Sequence, residues 1–278
     1  MRAYLKTAFQ ALILTLVAQT LHAAQLEHHE PNLGEIRVVP VDPTPEPDQV
    51  KVRVVFPEDD EMENSLPIGL QIRVEGYPLR VSSDFPRSRE IVDDPNGQSL
   101  QLVIDNREPL SLYETLIDSN DDVEEYYDQT LNYDIPFSLE PGMHVIRAFP
   151  VRSYYESLKG DGCFATSVFY YKTNKKIAGV DLNQPFLTYN SPQERVPYSA
   201  RKPVLLDFYI TNCQLSKDGY KVRVTFDSKD QRILNQWVPY YVYGLSKGKH
   251  KIKLELLDEK NNVVPGIYNS VERSFQFN

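Results

Sequence analysis

Apolar residues in this chain recur at every second position over short runs. Val50, Val52, Val54 and Phe56 share one face, with Lys51 and Arg53 on the other. Leu70, Ile72 and Val74 alternate with Gln71, Arg73 and Glu75, and Leu100, Leu102 and Ile104 with Gln101, Val103 and Asp105. A period of two with one apolar face predicts antiparallel strands over a single core. Phe137 to Arg147 reads as a hairpin about Pro141-Gly142, and Phe164–Lys172 closes this first set by pairing with residues 144–152. A second set runs through Pro185–Tyr189, Val204–Ile210, Tyr220–Phe226, Ile233–Tyr243, His250–Leu256 and Val271–Phe277. Only Leu110–Ile117 and the acidic stretch after it leave room for a helical turn or two. About seven short strands in each 80 to 130 residues is the layout of a β-sandwich.

The two sets share a repeat. Leu139-Glu-Pro-Gly142-Met-His144-Val-Ile146-Arg147 returns 106 residues later as Leu245-Ser-Lys-Gly248-Lys-His250-Lys-Ile252-Lys253. Leucine, glycine, histidine and isoleucine match in register, which implies one domain type used twice. Each histidine shares a strand face with an isoleucine, so both rings are expected to point to a core. A residue duplicated with its scaffold serves the scaffold, and this removes the commonest catalytic side chain from contention. The run from Gly248 to Asn262, with its glycine–histidine start, alternating strand and Asp258 turn, resembles the late strand and hairpin of bacterial immunoglobulin-like domains. The first copy departs from that pattern after Phe149. The resemblance implies an all-β chain of two tandem immunoglobulin-like sandwiches of the cell envelope, and architecture without activity. The expected boundaries are 25–48 for an acidic leader with five prolines and an edge strand at Ile36–Pro40, 49–173 for the first domain, and 174–278 for the second with its connector.

Ahead of these stands an export signature. Arg2 and Lys6 precede an apolar run from Ala8 to Val17, and Leu21-His22-Ala23 offers a cleavage site, so residues 1–24 read as a signal peptide. The run is short for a membrane span. The expected address is therefore periplasmic or secreted, with no membrane span after cleavage. Loss of the two basic residues takes the formal net charge from −9 to −11. The charge is uneven. Residues 24–198 hold 31 acidic against 15 basic residues, and residues 199–278 hold 8 against 13. A basic second domain can face the acidic first one or steer an anionic partner.

Candidate chemistry is sparse. Cys163 and Cys213 permit a disulfide in an oxidising compartment. The expected strand order places them at different ends, and Cys163 far from His144, which argues against both a bridge and a nucleophile. His28 and His29 lack two further positioned metal ligands. The acidic runs Glu58–Glu63 and Asp118–Glu125 lack the spacing of a helix-loop-helix calcium loop, although the second partly resembles the calcium linkers of cadherin-like tandems. No catalytic residue, metal site or cofactor is assigned. Lys221, Arg223, Lys249, Lys251 and Lys253 fall on neighbouring strands, where five cations share one face. They read either as a solvated strand face or as a docking surface for an envelope protein or anionic glycan. With no interleaved aromatic, nucleic acid is not expected. Paired tyrosines in strands place one ring outward, so Tyr154, Tyr155, Tyr240 and Tyr241 are candidates for stacking on sugars. Trp237 reads as a core-and-turn corner. The leading expectation is an exported, non-enzymatic binding or structural protein. The alternatives are a carbohydrate-binding or adhesive module, a periplasmic two-domain chaperone, and an enzyme whose carboxylate pair is far apart in sequence.

Overall fold

The computed structural model describes residues 35–113 and 127–278. The expected signal peptide, His28, His29 and the acidic run Asp118–Glu125 lie outside them. Strand β1 (Arg37–Pro40) is followed by β2 (Lys51–Phe56), β3 (Glu61–Glu63) and β4 (Gly69–Glu75). A short helix α1 (Arg87–Glu90) precedes β5 (Ser99–Ile104), β6 (Leu110–Leu112), β7 (Gln129–Asp134), β8 (Gly142–Val151) and β9 (Ala165–Tyr171). The remaining strands are β10 (Phe186–Ser191), β11 (Val204–Thr211), β12 (Lys221–Phe226), β13 (Asp230–Leu234), β14 (Tyr240–Tyr243), β15 (Gly248–Leu257) and β16 (Ser270–Phe277).

The sheet β2-β4-β7 faces the sheet β3-β9-β8-β5-β6 across a core that includes Val52, Leu70, Ile72, Leu102, Ile104, Ile146 and Phe169. The sheet β1-β14-β11-β10 faces β13-β12-β15-β16 across a second core with Leu206, Phe208, Val224, Leu254 and Phe275. The fold is thus all-β and built of sandwiches, with the two glycine–histidine segments opening the equivalent strands β8 and β15. Two local expectations need revision. Residues 110–112 form a strand, the stretch from 114 to 126 where a helical turn was expected lies outside the described residues, and a short helix occurs at Arg87–Glu90. Phe137 to Arg147 is no hairpin, because β7 pairs with β4 in one sheet while β8 lies in the other between β5 and β9. Pro141-Gly142 therefore marks a crossing between sheets.

The two sandwiches lie side by side, and this explains why alternation breaks down in the middle of the chain. All ten residues of β8 and all six of β5 and β10 are buried. One face of β8 looks into its own core. The other, with Val145, Phe149 and Val151, packs on Phe186, Tyr209 and Tyr268 of the second sandwich, alongside Phe164 and Trp237. Polar groups complete this seam. Arg147 is 1% exposed. It donates to Thr188 Oγ1 at 3.0 Å and to the Asp105 carbonyl, and stacks 4.1 Å from the Tyr268 ring centre. Burial pulls its pKa down to about 10, which leaves it charged at neutral pH. Asp207, fully buried, accepts from Lys159 Nζ at 2.6 Å, Asn190 Nδ2 at 2.7 Å and Ser157 N at 3.1 Å. Three donors on one desolvated carboxylate supply what such burial requires.

The leader segment is part of this framework. Strand β1 pairs antiparallel with β14 of the second sandwich, Val38 opposite Val242, and Ile36 enters that core. Gly244 is required here: its φ is +83°, and a Cβ would lie 2.1 Å from the Glu35 carbonyl oxygen. The chain then crosses to the first sandwich. Thr44 donates from its N and Oγ1 to the two carboxylate oxygens of Glu156, at 2.8 and 2.7 Å. Glu46 accepts from Lys159 N and Gly160 N, both at 2.6 Å. Residues 36–46 thus form a strap across both sandwiches.

Candidate functional site

The duplicated histidines are built into matching locks. His144 Nδ1 lies 2.8 Å from Asp105 Oδ2 and its Nε2 lies 2.7 Å from the Glu140 carbonyl oxygen. His250 repeats this with Asp227 Oδ2 at 2.7 Å and the Ser246 carbonyl at 2.7 Å. Each aspartate follows the end of the neighbouring strand with positive φ, and its second oxygen accepts a backbone N–H, from Val145 or Lys251. The rings lean on equivalent phenylalanines, His144 on Phe169 at 5.4 Å and His250 on Phe275 at 5.8 Å. Hydrogen bonds to Asp105 and the Glu140 carbonyl outweigh burial and raise the His144 pKa. His144 borders an open cavity of about 530 Å³ beside Lys175 and Lys176. With both ring nitrogens engaged, the imidazole has no free position for proton transfer to a ligand. Sequence reasoning missed Asp105 and Asp227; the signal was an aspartate directly after the neighbouring strand in both copies.

The predicted basic face is corrected. β12 and β15 are neighbours as expected, but their cations are matched by acids interleaved on the same face. Arg223 and Lys253 both reach Glu255 at 2.8 Å, Lys251 reaches Glu272 at 2.8 Å, and Lys249 lies 3.6 Å from Glu194. Lys221 is buried, its Nζ turned to the Gly219 carbonyl at 3.0 Å. The five cations do not form a bare docking surface for an anionic glycan.

The tyrosine candidates are corrected as well. Tyr154, Tyr155, Tyr240 and Tyr241 are all buried in the second sandwich's core cluster. Tyr154 donates to Thr44 Oγ1, Tyr155 to Asp94, Tyr240 to the Gln236 carbonyl, and Tyr241 to Glu90. Outward rings were expected, but the face they turn to is another element of the protein. Trp237 is likewise a seam residue, its Nε1 donating to the Phe208 carbonyl at 3.0 Å. Cys163 and Cys213 are free. Cys163 sits in the first core and Cys213 packs against the second, so separate cores keep the thiols apart. Side-by-side packing also overturns the placement of Cys163 far from the second sandwich, since its neighbour Phe164 stacks 4.3 Å from Tyr209. In the run Glu58–Glu63, Glu61 caps the N–H of Glu58 and Asp59 accepts from Val168 N. Among the described residues, no three His, Cys, Asp or Glu converge as metal ligands.

An open built surface lies elsewhere, on the outer face of β2-β4-β7. Its two ends differ. At one, Arg53 and Arg73 both bind Glu75, at 2.5 and 2.7 Å, and Arg73 lies 3.8 Å from Asp128. The two guanidiniums, Arg73 first, hold the Glu75 carboxyl below its usual range. At the other end, among the described residues that line it, Asp134 carries the only charge. A bulge at Val55 shifts the register, so that Val54 opposes Ile72 but Phe56 opposes Gln71. Directly opposed residues point to the same side, and Gln71 alternates with the buried Leu70 and Ile72. Phe56 is therefore turned out of the core face that its spacing from Val52 and Val54 predicts. Gln71 in turn opposes Asn132, and its Nε2 donates to Asn132 Oδ1 at 3.1 Å. Phe56, Gln71 and Asn132 make one row across three strands. Next to it, Gly69 opposes Asp134 and has no side chain, which leaves a dent of about 560 Å³.

No protein-family model and no curated protein matches the chain. Among solved structures it is similar to fibronectin(III)-like modules of CbhA from Clostridium thermocellum, with a TM-score of 0.26 and 13% identity over 81% of this chain and 94% of that one. It is also similar to SGBP-B of a Bacteroides ovatus mixed-linkage glucan utilization locus, solved with a mixed-linkage heptasaccharide. There the TM-score is 0.17 at 12% identity, over 80% of this chain and 47% of that one. The YadV chaperone gives 0.19 at 9% identity, over 86% and 98%. At scores this low the likenesses carry no property of those proteins to this chain.

Proposed function

We propose that this chain is an exported, non-enzymatic binding protein of the cell envelope, in which two β-sandwiches form one rigid support for an outward-facing sheet. The observation that carries the reading is how the polar groups are spent. Arg147, Glu156, Asp207 and the two Asp–His pairs are committed to the seam and to strand ends. The bulged row Phe56–Gln71–Asn132, in contrast, faces outward over a dent. Bulges that re-aim a side chain are a recurrent device at binding and active sites, and a site is held more accurately on strands than on loops. Residues 1–24 supply the export signal in this reading.

The test is fractionation of cells expressing the full chain, with the mature N-terminus read by mass spectrometry, followed by crosslinking to envelope components at low and moderate salt. The expected result is a mature chain beginning near residue 25 in an envelope or secreted fraction. Its retention should be largely indifferent to salt, because the cations of β12 and β15 are already neutralised. A chain retained in the cytoplasm with residues 1–24 intact, or retention lost as salt rises, refutes it.

A further inference from the structure

We propose that the dent on the outer face of β2-β4-β7 binds a linear, uncharged oligosaccharide, with Phe56 as the stacking platform and Gln71 and Asn132 as hydrogen-bonding groups. The proposal rests on the binding reading above and names its ligand class. Three features fix that class. First, the Val55 bulge turns Phe56, at a position where unbroken alternation would bury it, into the lining of the dent, where the ring is half-buried and no member of the core cluster. A ring face at an open surface suits the C–H face of a pyranose, as aromatic bodies suit ligands with one apolar side. Second, the Gln71–Asn132 bond uses one Nε2 and one Oδ1, leaving Gln71 Oε1 as an acceptor and Asn132 Nδ2 as a donor on adjacent strands. Sugar hydroxyls both donate and accept, so one ligand satisfies both.

Third, the charge is wrong for an anion. The nearest cations on this face, Arg53 and Arg73, are bound to Glu75 and Asp128, and Asp134 sits at the dent itself. An acidic sugar would meet the Asp134 carboxylate with no cation among the described lining residues to offset it. Shape agrees. About 560 Å³ falls within the roughly 300–1,000 Å³ of small-molecule sites, and the dent is open to solvent along the sheet. A peptide strand adds to a sheet by its edge, so the face of β4, flanked on both sides by paired strands, favours a ligand that lies on side chains.

The experiment is titration calorimetry of the mature protein with glucose-, mannose- and xylose-based hexasaccharides, with a galacturonic acid hexasaccharide as the charged arm. At least one neutral sugar is expected to bind, and the uronate is not. Phe56→Ala should weaken binding about tenfold or more, the order expected of losing one aromatic contact of about 1.4 kcal/mol, and Phe56→Trp should keep it. Gly69→Ala reads the dent independently. A Cβ there meets Asp134 Oδ1 at 3.7 Å, an ordinary contact, so the fold is kept while a methyl intrudes on the floor of the dent and binding falls. Asn132→Ala, at an exposed position, takes the place of Phe56→Ala should that variant fail to fold. The proposal is overturned by three results: no neutral sugar bound, the uronate bound as tightly, or Phe56→Ala and Gly69→Ala binding like the parent. Failure here with envelope retention intact sinks the ligand class alone. Failure of export sinks the function proposed above and leaves the titration to be judged by itself.

Discussion

The ion pair between Lys159 and Asp207 is the point at which the seam between the sandwiches is most exposed to perturbation. Asp207 is fully desolvated, and its one charged partner, Lys159 at 2.6 Å, comes from the other sandwich with its own side chain 10% exposed. Lys159→Met keeps most of the stem and its packing near Trp237 but leaves the carboxylate with two neutral donors, Ser157 N and Asn190 Nδ2. Removing one member of a buried pair costs about 3–5 kcal/mol, because the remaining charge stays buried and uncompensated. In a protein of this size each kcal/mol moves the melting temperature by about 2–4 °C, so the expected fall is about 6–20 °C. Lys249→Met is the control. Its pair with Glu194 is 3.6 Å long with both side chains more than 60% exposed, and its loss should cost no more than about 0.5 kcal/mol. Urea unfolding of the two variants and of Lys159→Met/Asp207→Asn completes the test. The double variant should regain about 1 kcal/mol or more, since it removes the stranded charge. A Lys159→Met protein as stable as Lys249→Met would refute the claim that this pair holds the seam.

Other outcomes follow from the same contacts. For His144 the folded pKa is raised above the unfolded value of about 6.5. The Asp105–His144 contribution is therefore fully present below that value and fades as pH rises through the folded pKa. The stability gap between the parent and His144→Gln should narrow from pH 5.5 to 8.5, measured by urea midpoints; a constant gap contradicts the lock. Val38→Asp, which puts a charge into the strap beside the second core, should lower stability by about 2 kcal/mol or more, whereas Val39→Asp at an exposed position should change it little. Calorimetry of the two separates the strap from a loose leader. Burial pushes the Cys163 thiol up to about 12 and Cys213 up to about 11. Native protein at pH 7.5 should therefore resist iodoacetamide, and unfolded protein should take up two labels without prior reduction; fewer labels would reveal a bridge.

How far the sequence carried this fold depends on whether a strand's second face meets water. In β2 and β4 it does, and the alternation of Val52, Leu70, Ile72 and Val74 identified strands and core alike. In β5, β8 and β10 it meets the other sandwich, so Gln101, Arg147 and Asn190 are buried polar residues that single-strand alternation assigns to solvent. The same error misplaced the tyrosines. An outward ring at Tyr241 is outward only from its own strand, and the partner surface was invisible to local periodicity; Tyr154 stands in the turn after β8, where strand alternation does not apply. The basic stripe failed for two reasons: Glu255 opposes Arg223 and Glu272 opposes Lys253 through pairing between strands, and Glu255, two residues after Lys253 on the same strand face, already closed the run of lysines with an acid. Phe56 shows the converse. Its spacing assigned it to the core, and a single inserted residue at Val55 turned it outward. One-residue slips reverse every face beyond them, so a bulge is nearly silent in sequence and large in consequence. Patterning therefore found the parts of this protein that hold its shape, while the row with the most to offer a ligand lies where the pattern breaks.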